Sequence, residues 1–553
     1  MDKKEIIKFF LDRDILLAPD FFSSYSDTED IDITKLYKEL NNKLRNRPLV
    51  FTDDALSNDI NNNDIIWNEF DRLKVNFEKG KSNQVYNTLM KNTTTIEIPK
   101  TDTVTIQIKN PEKQTDEANV VIINSYKENQ ENKRDVQNFV SHFKARYESI
   151  KRLLLNRQEL QDSISITRLS RKTEGEHVSV IGVVLDKRET KNGNIKLTLE
   201  DPTGVIDVLI TKTREETFET AKDIVLDEII GVVGVMGNKI LFTNTIYLPD
   251  IPMNHELKKS KDEVYSVFIS DIHFGIKNFL KDDFMKLINW LKGEYGNEQQ
   301  KMIASKVRYL FVTGDIVEGV GIYPGQEDDL EIKDIYKQYE EATKYLKLIP
   351  ERIKIIMCGG NHDAMRVSEP QPLFDPLISK GFYEIPNMII VSNPAIVNIH
   401  SSENFPGFNV LMYHGYSFPY YADNVPSIRD KGGLARCDLI MKFLLQRRHL
   451  APTHGSNLYI PDETADPLVI TDVPDIFISG HIHQITVGSY RNVTLVNSSC
   501  WVVQSEDNAK RGIIPHPGKI PIINLKTREV KIMNFLDDSV KVLFNERMAA
   551  GGK

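Results

Sequence analysis

Five short segments of the chain share one pattern, in which an apolar run ends in Asp, Asn or His, usually beside glycine. They are VYSVFISDIHFG (264–275), VRYLFVTGDIVEG (307–319), IKIIMCGGNHD (353–363), FNVLMYHGYSF (408–418) and DIFISGHIHQ (475–484). Glycine allows the backbone to turn sharply where a strand ends. Because loops from several strands converge at the carboxyl edge of a layered α/β structure, we expect these polar side chains to form one site.

The polar residues of these segments offer both nitrogen and oxygen ligands for metal ions. The seven candidate ligands are Asp271, His273, Asp315, Asn361, His414, His481 and His483. One tetrahedral zinc ion needs three or four ligands, whereas two ions about 3.5–4 Å apart with a shared carboxylate would use the whole set. Mixed imidazole and carboxylate ligands favour manganese, iron or zinc over magnesium or calcium.

Two further polar residues, His362 and Asp363, directly follow Asn361. His362 is not needed as a ligand, so we expect it beside the metal ions and free to transfer a proton. Asp363 is predicted to orient that imidazole and to stabilise its charge. A single histidine of this kind is more often a satisfied loop or core residue. Five such segments in one domain, each at a strand end, favour the dinuclear site.

The rest of the chain predicts several domains, because 553 residues exceed what one core can bury. Residues 1–50 are predicted to form a small helical unit, and the Asn- and Thr-rich residues 51–132 a flexible polar linker with one or two weak strands at most. Apolar residues at three- and four-residue steps predict an amphipathic helix at 133–160. Alternating β-branched residues and the turn signals KNGN and DPTG predict an OB-type barrel at 161–255. Strand, loop and helix then repeat through 262–550.

Composition limits the class of protein. The balance of 27% charged and 40% hydrophobic residues is that of a globular protein, and the net charge of −9 neither identifies nor excludes a nucleic-acid partner. Three cysteines without a CxxC spacing argue against a disulfide framework or a cysteine-based zinc site. The chain has no signal-peptide pattern at its start and no apolar run near the ~20 residues that span a bilayer. We therefore expect a soluble, cytoplasmic protein without a membrane partner.

Taken in order, the five segments read D-x-H, G-D-x-x-x-G, G-N-H-D, H-G and G-H-x-H. This set resembles the calcineurin-like metallophosphoesterase superfamily over residues 262–550. The resemblance implies an α+β multidomain protein whose phosphoesterase domain is a two-sheet β-sandwich flanked by helices. It also implies a role for each site residue: Asp271, His273 and His483 hold one metal, Asn361, His414 and His481 hold the other, Asp315 bridges them, His362 protonates the leaving oxygen, and Asp363 supports His362.

An OB-like barrel directly before such a domain resembles the small, B-type subunits of replicative DNA polymerases. GVGIYPGQEDDLEI (319–332), RRHLAPTHG (447–455) and SSCW (498–501) narrow the resemblance to the small subunits of archaeal family D DNA polymerases. After Trp501, VVQSEDNAKRG departs from the Gln-rich run expected in that family. The family implies a proofreading 3′–5′ exonuclease with two divalent metal ions, for which Mn²⁺ is the preferred candidate and Fe or Zn are the alternatives. It also implies a large catalytic polymerase subunit and DNA as partners, the sliding clamp as a further candidate, and a nucleoid-associated location.

Two alternatives from other classes are compatible with parts of the sequence. A non-catalytic scaffold subunit would not need the intact ligand set, and a small-molecule phosphodiesterase or phosphatase would not need the barrel. The barrel is poor in aromatic residues, which favours a platform for a neighbouring protein over DNA contact. Arg366 is a candidate for a phosphate contact. Six basic residues could neutralise DNA phosphates or form a solvated helix face: Arg429, Lys431, Arg436, Lys442, Arg447 and Arg448.

Overall fold

The computed structural model describes residues 118–128, 135–462, 464–503 and 514–537, and the backbone of 16–17, 50–51 and 540–544. The chain divides into two compact units, residues 1–110 with 131–137 and residues 111–130 with 138–553. In the described part of the first unit, strands β1 (Leu16–Leu17) and β2 (Val50–Phe51) pair in parallel. The helical unit predicted at 1–50 and most of the linker predicted at 51–132 lie outside the described residues.

The described strands and helices follow in chain order. The strands are β3 (Val120–Ser125), β4 (His177–Glu189), β5 (Ile195–Asp201), β6 (Gly204–Ile210), β7 (Ile229–Met236), β8 (Ile240–Tyr247), β9 (Tyr265–Ile269), β10 (Val307–Thr313), β11 (Lys354–Cys358), β12 (Met388–Ile390), β13 (Ala395–Ile399), β14 (Phe408–Met412), β15 (Ile476–Ser479), β16 (Thr486–Tyr490), β17 (Val493–Asn497), β18 (Lys519–Asn524), β19 (Val530–Asn534) and β20 (Val540–Phe544). The helices are α1 (Val136–Leu155), α2 (Ile166–Leu169), α3 (Glu215–Lys222), α4 (Lys281–Lys292), α5 (Glu298–Ser305), α6 (Ile335–Leu346), α7 (Lys380–Tyr383), α8 (Phe418–Asn424), α9 (Pro426–Arg429) and α10 (Cys437–Arg447). None of these described helices is long and apolar enough to cross a membrane.

Strands β4 to β8 close into a barrel in the order β4-β5-β6-β8-β7. Alternate apolar residues such as Val180, Leu197 and Val208 fill its interior. The turn between β5 and β6 is held by Asp201, whose carboxylate accepts hydrogen bonds from the backbone N–H of Thr203 at 2.8 Å and of Gly204 at 3.0 Å. The OB-type barrel predicted from the alternating pattern is confirmed.

Two sheets pack face to face after the barrel, and helices cover their outer faces. One sheet has the strand order β12-β11-β10-β9-β18-β19-β20 and the other β16-β17-β15-β14-β13-β3. Apolar side chains of both sheets, among them Phe268, Phe311 and Val410, fill the space between them. Helices α4 to α6 pack on the first sheet and α8 and α10 on the second. The predicted β-sandwich flanked by helices is confirmed.

Strand β3 lies within the range for which the sequence predicts a flexible linker. It pairs antiparallel with β13 and forms the edge of the second sheet. Tyr126, just after it, donates its backbone N–H to Ser392 Oγ at 2.7 Å. Residues 118–128 are therefore part of the sandwich rather than of a free linker, and the sequence did not place a strand at these positions. A short VVII run preceded and followed by polar residues gives little sign of the long-range pairing that orders it.

Two arginines of the basic run, Arg447 and Arg448, are buried, and Arg447 joins the sandwich to the barrel. Arg447 donates from Nε to Glu228 Oε2 at 2.8 Å and from a guanidinium nitrogen to the Asp223 carbonyl at 3.0 Å. Arg448 is also buried and donates to the Ile470 carbonyl at 2.7 Å. Since a buried guanidinium cannot reach a DNA phosphate, the phosphate-neutralising interpretation is wrong for these two residues.

Helix α1 is held against the phosphoesterase domain by a buried charge network around Asp466. The Asp466 carboxylate accepts hydrogen bonds from Arg146 and from Nε2 of His449, the latter at 2.8 Å. Nδ1 of His449 accepts from the backbone N–H of Ala451 at 2.9 Å, so the ring carries its proton on Nε2 and is neutral. Burial lowers the pKa of His449 to about 4, and Arg146 acts in the same direction. Burial opposes the ionisation of Asp466, but Arg146 and His449 hold its pKa well below the ordinary value.

Replacement of Asp466 by asparagine is expected to lower the free energy of unfolding by about 3–5 kcal/mol, because Arg146 would be left buried without its counter-charge.

The folded-state pKa of His449 lies below its ordinary value of 6.5. The unfolded state therefore binds more protons between these values, and stability should fall as the pH drops from about 6.5 to 4. Urea unfolding at several pH values measures both effects. Asp472→Asn, on an exposed aspartate, is the control, and an unchanged pH slope in His449→Gln would contradict the assignment.

Candidate metal centre

The predicted ligands follow the ends of five strands that meet at one edge of the sandwich. Asp271 and His273 follow β9, Asp315 follows β10, Asn361 follows β11, His414 follows β14, and His481 and His483 follow β15. Strands β9, β10 and β11 are parallel neighbours in one sheet, and β14 and β15 are parallel neighbours in the other. Parallel neighbours end on the same edge, so the packing of the two sheets brings both sets of loops together.

Six of the predicted ligands form two close groups, and the seventh lies against one of them. In each group one ligand atom of every member lies within 4.8 Å of the others; the groups are Asp271 with His273 and His483, and Asp315 with His414 and His481. Asn361 joins the second group, since its Oδ1 lies 3.0 Å from Nε2 of His414. This is the grouping that the family resemblance implies. Whether Asp315 bridges two ions stays a prediction.

Contacts behind the imidazole rings direct the Nε2 atoms of two histidines into the site. Nδ1 of His414 lies 2.9 Å from the Thr313 carbonyl oxygen, and Nδ1 of His273 lies 2.8 Å from Oε2 of Glu318. A proton on Nδ1 would suit both contacts and would leave Nε2 of each ring for a metal. Nε2 of His273 then faces Nε2 of His483 at 3.1 Å. A ring nitrogen of each histidine thus reaches the same point beside the Asp271 carboxylate, and such a mixed donor set suits a divalent transition metal.

The electrostatics of the groups favour a positive charge between the ligand atoms. Burial alone would raise the pKa of Asp315, but His414 and His362 hold it well below its usual range. Asp315 in turn raises the pKa of His414 to about 10, against the effect of burial. Burial lowers the pKa of His481 to about 3, and His414 adds to this shift. His481 is therefore a neutral imidazole with a lone pair that can ligate.

The backbone at five of the ligands lies in the left-handed region, which non-glycine residues rarely adopt. The φ angles are +50° at Asp271, +58° at His273, +52° at Asp315, +69° at His481 and +59° at His483. Such conformations cost of order 1–3 kcal/mol each and persist where the surroundings impose them. Here the loop after β9 donates from the N–H of Asp271 to the Gly314 carbonyl at 3.0 Å and from that of His273 to the Asp315 carbonyl at 3.1 Å. These hydrogen bonds hold the strained backbone at two of the candidate ligands, Asp271 and His273.

Two glycines of the motifs are required by close approach. A Cβ at Gly314, whose φ is +83°, would overlap the His414 ring, and a Cβ at Gly360 would overlap the Asp315 carboxylate. These glycines let the loops after β10 and β11 come close enough to assemble the second ligand group.

The structure gives Asp363 a different position from the predicted one. Its carboxylate accepts hydrogen bonds from the backbone N–H of Ile316 at 3.1 Å, of Val317 at 3.2 Å and of Gly360 at 2.8 Å. Nδ1 of His362 instead lies 2.9 Å from the Glu318 carbonyl oxygen. The prediction that Asp363 orients the His362 imidazole is therefore wrong for this structure. Asp363 joins the loops after β10 and β11, which positions His362 through the backbone.

Glu318 is a residue of the site that the sequence analysis missed. It is buried, and its carboxylate contacts Nδ1 of His273 and accepts from Nε2 of Gln326 at 3.0 Å. Together with His273 and His362 it forms a third close group of ligand-type atoms. Burial would raise the pKa of Glu318, but the His273 imidazole lowers it below the ordinary value. The available signal was a carboxylate inside the G-D-x-x-x-G segment, directly before its second glycine.

Glu318→Gln is expected to weaken metal binding by about 10- to 100-fold, because the carboxylate behind His273 fixes the orientation of the ring. The amide keeps the size of the side chain, so the loop should remain folded. Metal titration of the protein, followed by calorimetry, measures the change. Glu327→Gln, on an exposed glutamate of the same loop, should bind metal as the parent does. Equal affinities in the two variants would show that Glu318 does not support His273.

Comparison with known proteins agrees with the fold and the site. Residues 266–485 match the family model described as calcineurin-like phosphoesterase, and residues 178–251 match the one described as OB-fold nucleic acid binding domain. The fold and these matches thus define a protein with a calcineurin-like phosphoesterase domain and an OB-fold domain.

Relatives over most of the chain define the family further. The DNA polymerase II small subunit of Methanothermobacter thermautotrophicus is 40% identical over 391 residues, which cover 70% of this chain and 78% of the relative. That of Archaeoglobus fulgidus is 40% identical over 390 residues, 70% of this chain and 75% of the relative. That of Pyrococcus abyssi is 38% identical over 404 residues, 72% of this chain and 63% of the relative. The chain belongs to the family of DNA polymerase II small subunits, and the resemblance to a polymerase small subunit is confirmed.

Proposed function

We propose that this chain is a 3′–5′ exonuclease that proofreads for a DNA polymerase and hydrolyses phosphodiester bonds at a dinuclear metal site. The observation that carries the proposal is the convergence of an intact ligand set. Asp271, His273 and His483 form one group, and Asp315, His414 and His481 form the other. A non-catalytic scaffold subunit would need neither this set of metal ligands nor the strained backbone at these residues.

In the proposed hydrolysis, the metal ions, His362 and Asp363 have different roles. Two divalent ions would supply a nucleophilic water near neutral pH and stabilise charge on the phosphate oxygens. Mn²⁺ is the preferred candidate for these ions, and Fe or Zn are the alternatives. His362 would protonate the departing 3′ oxygen, and the contact of its Nδ1 with the Glu318 carbonyl at 2.9 Å supports this role because it orients the ring. Asp363 keeps the His362 loop against the Asp315 loop. Asp271, His273, Asp315 and His414 are buried, whereas the site is open to solvent at the partly exposed Asn361, His362, His481 and His483.

The proposed partners are a large catalytic polymerase subunit and DNA, with the sliding clamp as a further candidate. Exposed apolar side chains on the barrel, among them Leu185, Val205 and Phe242, support contact with a protein surface. Tethering the nuclease to a polymerase turns a bimolecular encounter with a mismatched end into transfer within one assembly. We therefore expect distributive digestion by the isolated chain and stronger, mismatch-favouring digestion in the complex.

The test is incubation of the purified full chain with single-stranded DNA labelled at the 5′ end and Mn²⁺, followed by separation of the products. A ladder that shortens stepwise from the 3′ end supports the proposal. Products from 5′ shortening or internal cuts would overturn the assigned polarity. Hydrolysis of small phosphodiesters without any DNA cleavage would favour the small-molecule alternative, and no hydrolysis with Mn²⁺, Fe²⁺ or Zn²⁺ would favour the scaffold.

A further inference from the structure

Apolar and aromatic side chains are exposed beside two histidines of the metal centre. Next to His362, the loop 319–325 exposes Val320 by 50% and Ile322 by 39%. The ring of Tyr323 in the same loop lies 6.5 Å from the His362 ring. Next to His481, the half-buried ring of Tyr416 lies 5.6 Å from the His481 ring. A metal centre that acted on the phosphate alone would not need apolar surface at these positions.

The loop 319–325 is held in place by side-chain amides. Gly319 donates its N–H to Oε1 of Gln338 at 2.9 Å, and Ile322 donates to Oε1 of Gln326 at 2.9 Å. Gln326 in turn donates to the Glu318 carbonyl at 3.1 Å. A Cβ at Gly319 would overlap the His362 carbonyl, so the loop lies directly on the His362 segment. Val320 and Ile322 are therefore presented by a preorganised loop, which lowers the entropy lost when a ligand covers them.

Tyr416 differs from the neighbouring tyrosines in its partners. The hydroxyl of Tyr413 donates to Glu369 at 3.1 Å, and that of Tyr421 donates to Ser456 at 3.0 Å, both within the core. Within the described ranges, no hydrogen-bond partner is seen for the Tyr416 hydroxyl. Tyr413 and Tyr421 have structural roles, whereas the half-buried ring of Tyr416 is free to take a ligand.

We propose that Tyr416, with Val320 and Ile322, binds the unpaired nucleobases at a DNA end, so that the site selects single-stranded or frayed ends over paired ones. The inference rests on the proposed nuclease function, since the phosphodiester must lie at the metal centre for its bases to reach these side chains. Every base has a π-face, so stacking on tyrosine and contact with aliphatic groups accept any sequence. A paired end must first unstack and unpair, which disfavours it.

The test compares a single-stranded oligonucleotide with the same strand whose terminal 3′ nucleotides lack their bases, using the full chain and Mn²⁺. Tyr416→Leu is expected to lower kcat/KM on the base-bearing strand about tenfold or more and to change that on the abasic strand by less than about twofold. Tyr416→Phe should retain the parent's preference, because it keeps the ring. Val320→Ser should reduce the same preference to a smaller extent.

Tyr420→Leu is the matched control, because Tyr420 is also half-buried but its ring packs on Tyr421, at 5.2 Å. Equal losses on both strands in Tyr416→Leu would overturn the inference, since the ring would then act only by supporting His481. Binding of both strands in EDTA, measured by fluorescence anisotropy, gives a readout without catalysis. If the parent cleaves neither strand, the proposed function fails. The stacking surface is still supported if the parent binds the base-bearing strand more tightly than the abasic strand and Tyr416→Leu loses that difference. If the two strands bind equally, the stacking surface is overturned as well.

Discussion

Asp315→Ala is expected to abolish DNA cleavage and to reduce the amount of bound metal while leaving the fold intact. Asp315 is buried, with Oδ2 3.2 Å from Nε2 of His414, and it belongs to the same close group as His481. Without the carboxylate, the mixed ligand set loses the oxygen that two ions would share and the negative charge that offsets their mutual repulsion. Cleavage of labelled DNA and metal content by mass spectrometry measure the two effects.

The fold needs a separate check, because Oδ1 of Asp315 also accepts the backbone N–H of His362 at 2.8 Å. Asp315→Asn can keep that hydrogen bond while it removes the charge, so it should fold as the parent does and still lose activity. Asp282→Ala, on the exposed first turn of α4, should change neither activity nor metal content. Near-normal cleavage by Asp315→Ala in a correctly folded protein would rule out the dinuclear mechanism.

His362→Ala is expected to keep its metal ions and its polymerase partner but to lose about 10²–10⁴-fold in cleavage rate, the usual contribution of a positioned proton donor. The hydrogen bond from this residue to Asp315 uses the backbone N–H, so removal of the side chain leaves it in place. The side chain itself contacts the Glu318 carbonyl through Nδ1, which the loop can release without a change in the metal ligands. Single-turnover rates at saturating metal measure the loss.

In the polymerase complex, this variant should still extend primers but should accumulate errors. His177→Ala, on an exposed position of the barrel strand β4, serves as the control and should copy DNA as accurately as the parent. If the complex with His362→Ala were equally accurate, proofreading would reside elsewhere, and the scaffold alternative would gain support.

The grouping of the candidate ligands at one edge was predictable because each of these residues has a local sequence signal. An apolar run that ends in Asp, Asn or His beside glycine identifies both the strand and the residue that follows it, and the structure brings all seven together. The barrel was predictable for the same reason, since alternation and turn residues such as those at Asp201 are local signals. Glu318, Asp363 and strand β3 were not predicted correctly, because their roles depend on partners far away in sequence.

The sequence alone determined the residue types at the strand ends and the barrel before them, because period, turn chemistry and ligand type are local properties of neighbouring residues. The arrangement of the later strands in two sheets was implied only by the family resemblance. The tertiary structure alone decided which polar side chains face the metal centre and which support the fold. Arg447 is a charged residue on a basic segment, yet it pairs with Glu228, 219 residues away along the chain. A buried charge needs a partner wherever the fold can supply one, and that partner is set by packing rather than by spacing.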